Sequence, residues 1–230
     1  TNWTEVNNLN AANGGAVGIG IATSGLAVGG GNGVKATNES WNGTSWTELA
    51  DLNTARASAG GSGVDNTDAL VYGGYAAPPS PATAVTELWN GSAWTEVNDL
   101  NTGRNGLGSG GTSTAALGFG GYGGGSKNET ELWNGTNWTE VNNLNTGRYG
   151  ISGTGTQTSA LAFGGQPSVS ITETWNGTNW TETTDMNVAR SQIGTSGANN
   201  TSALAFGGAP YTTATEEWIV GLATVTFTDA

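Results

Sequence analysis

Short apolar runs recur along the chain, and each stops at glycine, asparagine, aspartate or proline. In residues 56–98, for example, a run at 69–72 ends at Gly73-Gly74, and a run at 85–89 ends at Asn90-Gly91. Short runs with such boundaries are typical of β-strands, and no segment has the period of an amphipathic helix. The pattern therefore predicts an all-β chain.

The runs belong to a repeat that is marked by tryptophan. The tripeptide Trp-Thr-Glu begins at positions 3, 46, 94, 138 and 180, at intervals of 43, 48, 44 and 42 residues. All ten tryptophans fall into two series: Trp3, Trp46, Trp94, Trp138 and Trp180 in one, and Trp41, Trp89, Trp133, Trp175 and Trp218 in the other. We read the chain as five units, at about 13–50, 56–98, 104–142, 148–184 and 190–218, the last completed by 1–8.

Each unit contains four predicted antiparallel strands, A to D. An Asn-Gly pair separates strands C and D in four units, at positions 42, 90, 134 and 176. Asn-Gly favours a two-residue hairpin turn in which both residues take positive φ. Four strands in a unit of this length are typical of a propeller blade. We therefore expect a single five-bladed β-propeller over residues 1–221, with 222–230 as a tail or an extra edge strand.

The two ends of the chain predict how the ring closes. The chain opens on a D-type segment at 3–6 that has no blade of its own, and the last unit stops after Trp218. We expect the N-terminal strand to complete the last blade. This pairing would remove unpaired strand edges and bury the indole of Trp3.

The conserved order of residues within the units resembles the kelch repeat. The second unit and its link to the third carry that order as Leu70-Val71-Tyr72-Gly73-Gly74, Glu87-Leu88-Trp89, Trp94 and Arg104. The resemblance covers nearly the whole chain, although Asn13 stands where the other units have arginine. It implies a propeller of the kelch type.

The composition restricts the chemistry that the chain supports. It has no Cys and no His, which excludes disulfides, thiol nucleophiles, Cys/His metal sites and histidine bases. Its net charge of -12 disfavours nucleic acid and anionic lipid as partners, and no apolar run is long enough for a membrane-spanning helix. We expect no cofactor, no metal, no membrane insertion and no enzymatic activity. Glycoside hydrolysis by a carboxylate pair is the open catalytic alternative.

Variation in length between units is concentrated in the B–C loops. In a four-stranded meander these loops and the D–A links emerge on one face, and variable loops on a rigid scaffold commonly carry binding function. The candidate ligand-binding residues on this face are Arg56, Arg104, Arg148, Arg190, Tyr75, Tyr122, Tyr149 and Tyr211.

The arginines allow two interpretations. A broken ring of cations at the channel mouth would bind a carboxylate, a sulfate or an acidic peptide. Alternatively, each arginine ties its own loop to a glutamate or to backbone carbonyls, which we favour because a residue repeated in most units usually serves the repeat. The same reasoning assigns the tryptophans and the repeated glutamates to packing between blades rather than to sugar stacking or catalysis.

These observations favour a non-catalytic recognition or adhesion propeller that binds a surface glycan or a protein ligand. The alternative is a purely structural or protein-interaction propeller, as a fibre segment or a designed repeat without a small ligand. Low lysine content, abundant threonine, asparagine and glycine, and acidic charge favour an extracellular or virion surface. We expect either a monomeric isolated domain or a part of a larger chain.

Overall fold

The protein is a five-bladed β-propeller. Its computed structural model describes residues 4–31, 34–77 and 82–220, and no helix occurs among them. Trp3, part of one B–C loop at 78–81 and the predicted tail at 222–230 lie outside the described residues. Each blade is a small antiparallel sheet whose strands are neighbours in both sequence and space.

The strands follow the chain from the channel outward in every blade. Blade 1 contains β1 (Val17–Ile21), β2 (Ser24–Val28), β3 (Asn38–Trp41) and β4 (Trp46–Glu48). Blade 2 contains β5 (Gly60–Asp65), β6 (Asp68–Tyr72), β7 (Thr86–Trp89) and β8 (Trp94–Val97). Blade 3 contains β9 (Gly108–Gly111), β10 (Ala116–Phe119), β11 (Thr130–Trp133) and β12 (Trp138–Val141). Blade 4 contains β13 (Ser152–Thr156), β14 (Ser159–Phe163), β15 (Thr172–Trp175) and β16 (Trp180–Glu182), and blade 5 contains β17 (Gly194–Asn199), β18 (Ser202–Phe206) and β19 (Thr215–Ile219).

The two tryptophan series meet within the blades. Trp133 of β11 lies opposite Trp138 of β12, and their ring centroids are 5.5 Å apart. The indole of Trp138 then packs against Tyr72 of the preceding blade, at 4.7 Å between ring centroids. Tryptophans and the apolar residues of the B strands therefore form the core between blades, as the sequence predicts.

Glycine in the innermost strands allows aromatic side chains to lie across them. A Cβ at Gly108 would stand 2.2 Å from the ring of Phe119, and one at Gly60 would stand 2.6 Å from the ring of Tyr72. Any larger residue would collide with the neighbouring ring, which accounts for glycine in strands where it is otherwise unfavourable. The abundance of glycine thus follows from the crowding around the channel.

The C–D turns differ from the predicted type. Only the glycine of each Asn-Gly pair has positive φ, about 91° at Gly43, Gly91 and Gly135. The side chain of Asn42 accepts hydrogen bonds from the backbone N–H groups of Thr44 and Ser45 at 2.9 and 3.0 Å. Since this side-chain cap replaces a backbone bond, the asparagine keeps negative φ and the predicted pair of left-handed residues is wrong.

The last blade also differs from the prediction. Its described part has three strands, and Thr4, Glu5 and Val6 are exposed and belong to no strand. The predicted N-terminal fourth strand is therefore not formed by the described residues. Instead, the segment docks on blade 1, where Asn7 Nδ2 donates to the carbonyl of Thr44 at 2.9 Å and the backbone N–H of Asn10 donates to Glu39 Oε2 at 2.8 Å.

The junction between blades 5 and 1 differs from the other four. At the other junctions a Gly-Gly N–H donates to the carbonyl of the next unit, as from Gly121 to Arg148 at 2.9 Å and from Gly165 to Arg190 at 3.0 Å. Among the described residues, no hydrogen bond of any kind joins blade 5 to blade 1. The sector between blades 5 and 1, which we call the open sector, therefore carries no hydrogen bond among the described residues.

Candidate functional site: the channel mouth

One residue from each blade lines the mouth of the channel on the face of the D–A links. These residues follow the arginine position of the repeat by two, and all have positive φ: Gly15, Ser58, Gly106, Gly150 and Gln192. They are joined in series, because the N–H of Ser58, Gly106, Gly150 and Gln192 each donates to the carbonyl of the preceding member at 2.8–3.2 Å. We call this series the mouth ring.

Two members of the mouth ring are not glycine. Ser58 and Gln192 have φ of 52° and 51°, whereas the other three members are glycines. A non-glycine residue in this region costs about 1 kcal/mol or more, and such residues are concentrated at functional sites. The side chain of Gln192 is exposed at the mouth, so the backbone strain coincides with an amide presented to the channel.

The mouth ring surrounds an open cavity of about 430 Å³ that contains no charged lining residue. All five blades contribute to it, through Gly15, Ala16, Ser58, Ala59, Gly106, Leu107, Gly150, Ile151, Gln192 and Ile193. The uncharged cavity suits a neutral ligand better than the anionic one that a ring of arginines would bind.

Tyrosines extend the mouth outward on the same face. Tyr122 and Tyr149 are exposed and make an edge-to-face contact with 5.3 Å between ring centroids. Tyr122 follows the Gly-Gly pair of blade 3 and forms an isolated bridge with Asn105, and Tyr149 immediately precedes Gly150 of the mouth ring. Tyr75 is exposed at the corresponding bridge of blade 2, and Tyr211 is fully exposed on the B–C loop of blade 5. The structure thus brings together Tyr122 and Tyr149 out of the four predicted tyrosines.

Two glutamines complete this surface, and neither was predicted from the sequence. A Cβ at Gly150 would stand 3.5 Å from Cγ of Gln192 and 3.8 Å from Cγ of Gln166, so both amides lie beside this part of the mouth ring. Gln166 Nε2 donates to Ser191 Oγ at 2.6 Å, which orients its carbonyl oxygen. The available signal was that Gln192 occupies a repeat position held by glycine in three other units.

The four arginines lie inside the blades rather than at the mouth. Each is fully buried and paired with the strand C glutamate of its own unit: Arg56 with Glu87, Arg104 with Glu131, Arg148 with Glu173 and Arg190 with Glu216, at 2.7–2.9 Å. Their guanidinium groups also donate to backbone carbonyls, as Arg190 does to Gly207 and Ala214 at 2.8 Å. A ligand would reach them only by breaking these ion pairs, so their place in the structure matches the loop-tying interpretation.

The same glutamates hold the links between blades. Glu131 Oε2 accepts the backbone N–H and the side-chain amide of Asn101 at 2.8 and 2.7 Å, while Oε1 pairs with Arg104. Burial lowers the pKa of the Arg104 guanidinium, and the charge of Glu131 acts in the opposite direction. Burial disfavours the charged form of Glu216, but hydrogen bonds from Asn187 and Val188 together with Arg190 outweigh it and hold the pKa of this carboxyl below its usual range.

The first unit lacks the cation. Asn13 donates through Nδ2 to the carbonyl of Gly29 at 2.6 Å, while Glu39 still accepts from Asn10. The Oδ1 atom of Asn13 is buried and has no hydrogen-bond partner. This unit therefore keeps the link contact but not the ion pair.

The tryptophans are placed as packing residues. Strand C indoles donate to the carbonyls of the A–B turns, as Trp133 does to Ser113 and Trp175 to Gln157. Trp41, Trp89, Trp94, Trp133, Trp138, Trp175 and Trp180 are buried, while Trp46 and Trp218 are half-buried. Trp218 packs against the apolar core between blades 4 and 5.

Within the described part of the chain, no three acidic side chains lie close enough to hold a metal ion. That part also contains no helix of the length and apolarity needed to cross a bilayer.

No protein-family model matches the chain, and no curated protein matches it.

Proposed function

We propose that this chain is a non-catalytic recognition propeller of the kelch type that binds a neutral glycan at the channel mouth. The observation that carries the proposal is the uncharged cavity lined by all five blades, with Gln192 in its lining. Gln166 lies beside Gly150 of this lining, Tyr149 immediately precedes that glycine, and Tyr122 contacts Tyr149. Aromatic rings offer apolar faces to sugar rings, and amides donate and accept hydrogen bonds with hydroxyl groups.

The charge distribution supports a neutral ligand. The arginines that would attract an anion are buried in ion pairs, and the net charge of -12 repels acidic sugars and acidic peptides. No carboxylate belongs to the lining of the mouth cavity, which supports binding rather than glycoside hydrolysis. A protein of this composition, with few lysines and many threonines and asparagines, fits display on a cell surface or a virion appendage.

A glycan array tests the proposal directly. We expect neutral oligosaccharides on the array to bind. We expect no binding that requires a sialic acid or a sulfate group. Affinity measured by calorimetry should change less than about twofold between low and high salt, because no ion pair forms with the ligand. A folded protein that binds no glycan on the array would overturn the proposal and leave the protein-interaction alternative.

Two variants locate the site. Tyr149→Ala removes an aromatic face and should weaken binding about tenfold, which corresponds to about 1.4 kcal/mol. Gln192→Gly removes the amide and installs the residue that three other units carry at this position, so it should weaken binding without loss of stability. Tyr211→Ala is the matched control, because this fully exposed tyrosine stands on another blade. Loss of binding in the control but not in Tyr149→Ala would place the site elsewhere.

A further inference from the structure

The four C–D turns share one local structure around an Asn-Gly pair. In each turn the side-chain Oδ1 of the asparagine accepts the backbone N–H groups of the two residues that follow the glycine, at 2.8–3.0 Å. The asparagines are Asn42, Asn90, Asn134 and Asn176. All four are exposed, and the φ of each following glycine is 91–92°. The side-chain carbonyl is therefore fixed at a surface that water reaches.

The other polar groups of these pairs are largely unpaired. Among the described residues, no acceptor lies within hydrogen-bond distance of the glycine N–H in any of the four turns. The same part of the chain offers no partner to the side-chain NH₂ of Asn90, Asn134 or Asn176, whose contacts are all made through Oδ1. The NH₂ of Asn42 lies 3.5 Å from Ser45 Oγ. Each turn thus combines an unpaired nitrogen nucleophile with a carbonyl that two N–H groups polarise.

We propose that the four C–D turns are sites of self-modification, at which asparagine converts to aspartate or isoaspartate without an enzyme. The glycine nitrogen loses its proton to water or hydroxide and forms a bond to Cγ of the asparagine. Negative charge develops on Oδ1, where the two backbone N–H groups stabilise it as an oxyanion hole does. The Cγ–Nδ2 bond then breaks, and the nitrogen takes up a proton from water and leaves as ammonia. Water opens the resulting succinimide at either carbonyl.

The chain carries the same dipeptide in a different setting at Asn105-Gly106. The N–H of Gly106 donates to the carbonyl of Ser58 at 2.8 Å, as part of the mouth ring. The backbone N–H and C=O of Asn105 are both bonded to Tyr122, at 3.0 and 2.8 Å. Because this nucleophile must first give up a hydrogen bond, we expect the pair to react about tenfold more slowly than the C–D turns.

The modification changes the charge of one face of the propeller. Each conversion adds a carboxylate to a C–D turn, whereas both lysines of the chain, Lys35 and Lys127, stand on B–C loops at the opposite face. An aspartate accepts the same backbone N–H groups as the asparagine, so the turn keeps its cap. The C–D face therefore becomes more negative as the protein ages, while the mouth keeps its uncharged lining.

Peptide mapping by mass spectrometry tests the proposal on the folded wild-type protein. During incubation in mildly alkaline buffer, the four turns should yield aspartyl and isoaspartyl peptides, and Asn105 should convert about tenfold more slowly. The same incubation in urea is the control, because unfolding releases Gly106 and should bring all five pairs to similar rates. Turn asparagines that stay intact in the folded protein, or that convert no faster than Asn105, would overturn the proposal. A contrast of equal size in urea would also overturn it, because local sequence would then be the cause.

Ion-exchange chromatography of two variants provides a second measurement. The wild-type protein should accumulate four successive acidic species during the incubation, one for each turn. Asn134→Asp carries the product at one turn from the start, so it should accumulate only three. Asn105→Asp is the matched control, since it adds the same charge outside the turns and should still accumulate four. Equal numbers of species in the two variants would contradict the assignment of the reaction to the C–D turns.

Discussion

Strands β14 and β18 have the same five residues, Ser-Ala-Leu-Ala-Phe, and very different surroundings. Leu161 and Phe163 of β14 are 0% and 3% exposed, because blade 5 covers them. Leu204 and Phe206 of β18, at the same positions, are 38% and 42% exposed at the open sector. An identical strand is therefore core in one blade and surface in the next.

The comparison shows where the stability of this propeller resides. Each blade is too small to bury its own apolar residues, and the next blade supplies their cover. Stability is then close to a sum of junctions between neighbours, as in other repeat proteins. The same substitution should lower the free energy of unfolding by different amounts in β14 and β18. The difference between the two losses measures how much one junction between blades contributes to stability.

The largest difference is expected for phenylalanine. Phe163→Ala opens a cavity beneath blade 5 and should lower the free energy of unfolding by about 4 kcal/mol. Phe206→Ala removes the same side chain from an exposed position and should cost less than about 1 kcal/mol. Urea denaturation followed by circular dichroism gives both values. If the two losses were equal, blade 1 would cover Phe206 in solution and the sector would be closed.

The ion pairs should show the next largest difference. Glu131→Gln leaves the buried cation of Arg104 without a counter-charge and should cost about 3 kcal/mol. Glu216→Gln is the counterpart in blade 5, where the carboxylate is 16% exposed, and water reduces the expected loss to about 1 kcal/mol. The half-buried pair of Lys127 and Glu129 is the control, since its side chains are 24% and 22% exposed and Lys127→Ala should change the free energy of unfolding by less than about 0.5 kcal/mol. Equal losses for the two glutamates would show that burial does not govern these pairs.

A smaller effect is expected for the threonines that accept from indoles. Thr130→Val keeps the shape of the side chain but leaves the buried N–H of Trp180 without its acceptor, so we expect a loss of about 1.5 kcal/mol. Thr215→Val changes the equivalent residue of blade 5, which is exposed, and should be neutral within about 0.5 kcal/mol. Thermal unfolding of the pair provides the measurement. If Thr130→Val left the free energy of unfolding unchanged, the hydrogen bond from Trp180 would not contribute to the stability of this junction.

The fold was predictable from the sequence because the repeat itself encodes the junctions between blades. The spacing of the tryptophans specifies which strands pair, and the buried positions of β6, β10 and β14 follow from it. The open sector was not predictable in the same way, because β14 and β18 are identical and only their neighbours differ.

The candidate site was only partly predictable. Tyr122 and Tyr149 were found from their place after Gly-Gly and after arginine, but Gln166 and Gln192 were not, because no repeat signal shows which loop residue faces the axis. The turn prediction failed for a local reason, since the side chain of Asn42 takes the hydrogen bonds that a backbone carbonyl takes in the expected turn.

The smallest effect at neutral pH concerns Tyr72, which occupies in blade 2 the position of Phe163 and Phe206. It is fully buried, and its hydroxyl donates to the carbonyl of Leu117 at 3.0 Å and lies 3.0 Å from Ser62 Oγ. Tyr72→Phe installs the residue of blades 3 to 5 and should cost about 1 kcal/mol near pH 7. Urea denaturation at pH 7 checks this value.

The contribution of Tyr72 to stability depends on pH in the alkaline range. Burial raises the pKa of Tyr72 far above its ordinary value, and the hydrogen bond with Ser62 offsets this only in part. The folded protein therefore keeps the phenol neutral, while this tyrosine ionises above about pH 10 in the unfolded chain. Its contribution to the free energy of unfolding is therefore constant below that pH and falls as the pH rises through it. Tyr72→Phe should flatten this decline between pH 9 and 11, about the range in which unfolded tyrosine titrates. A decline unchanged by Tyr72→Phe would show that another group causes it.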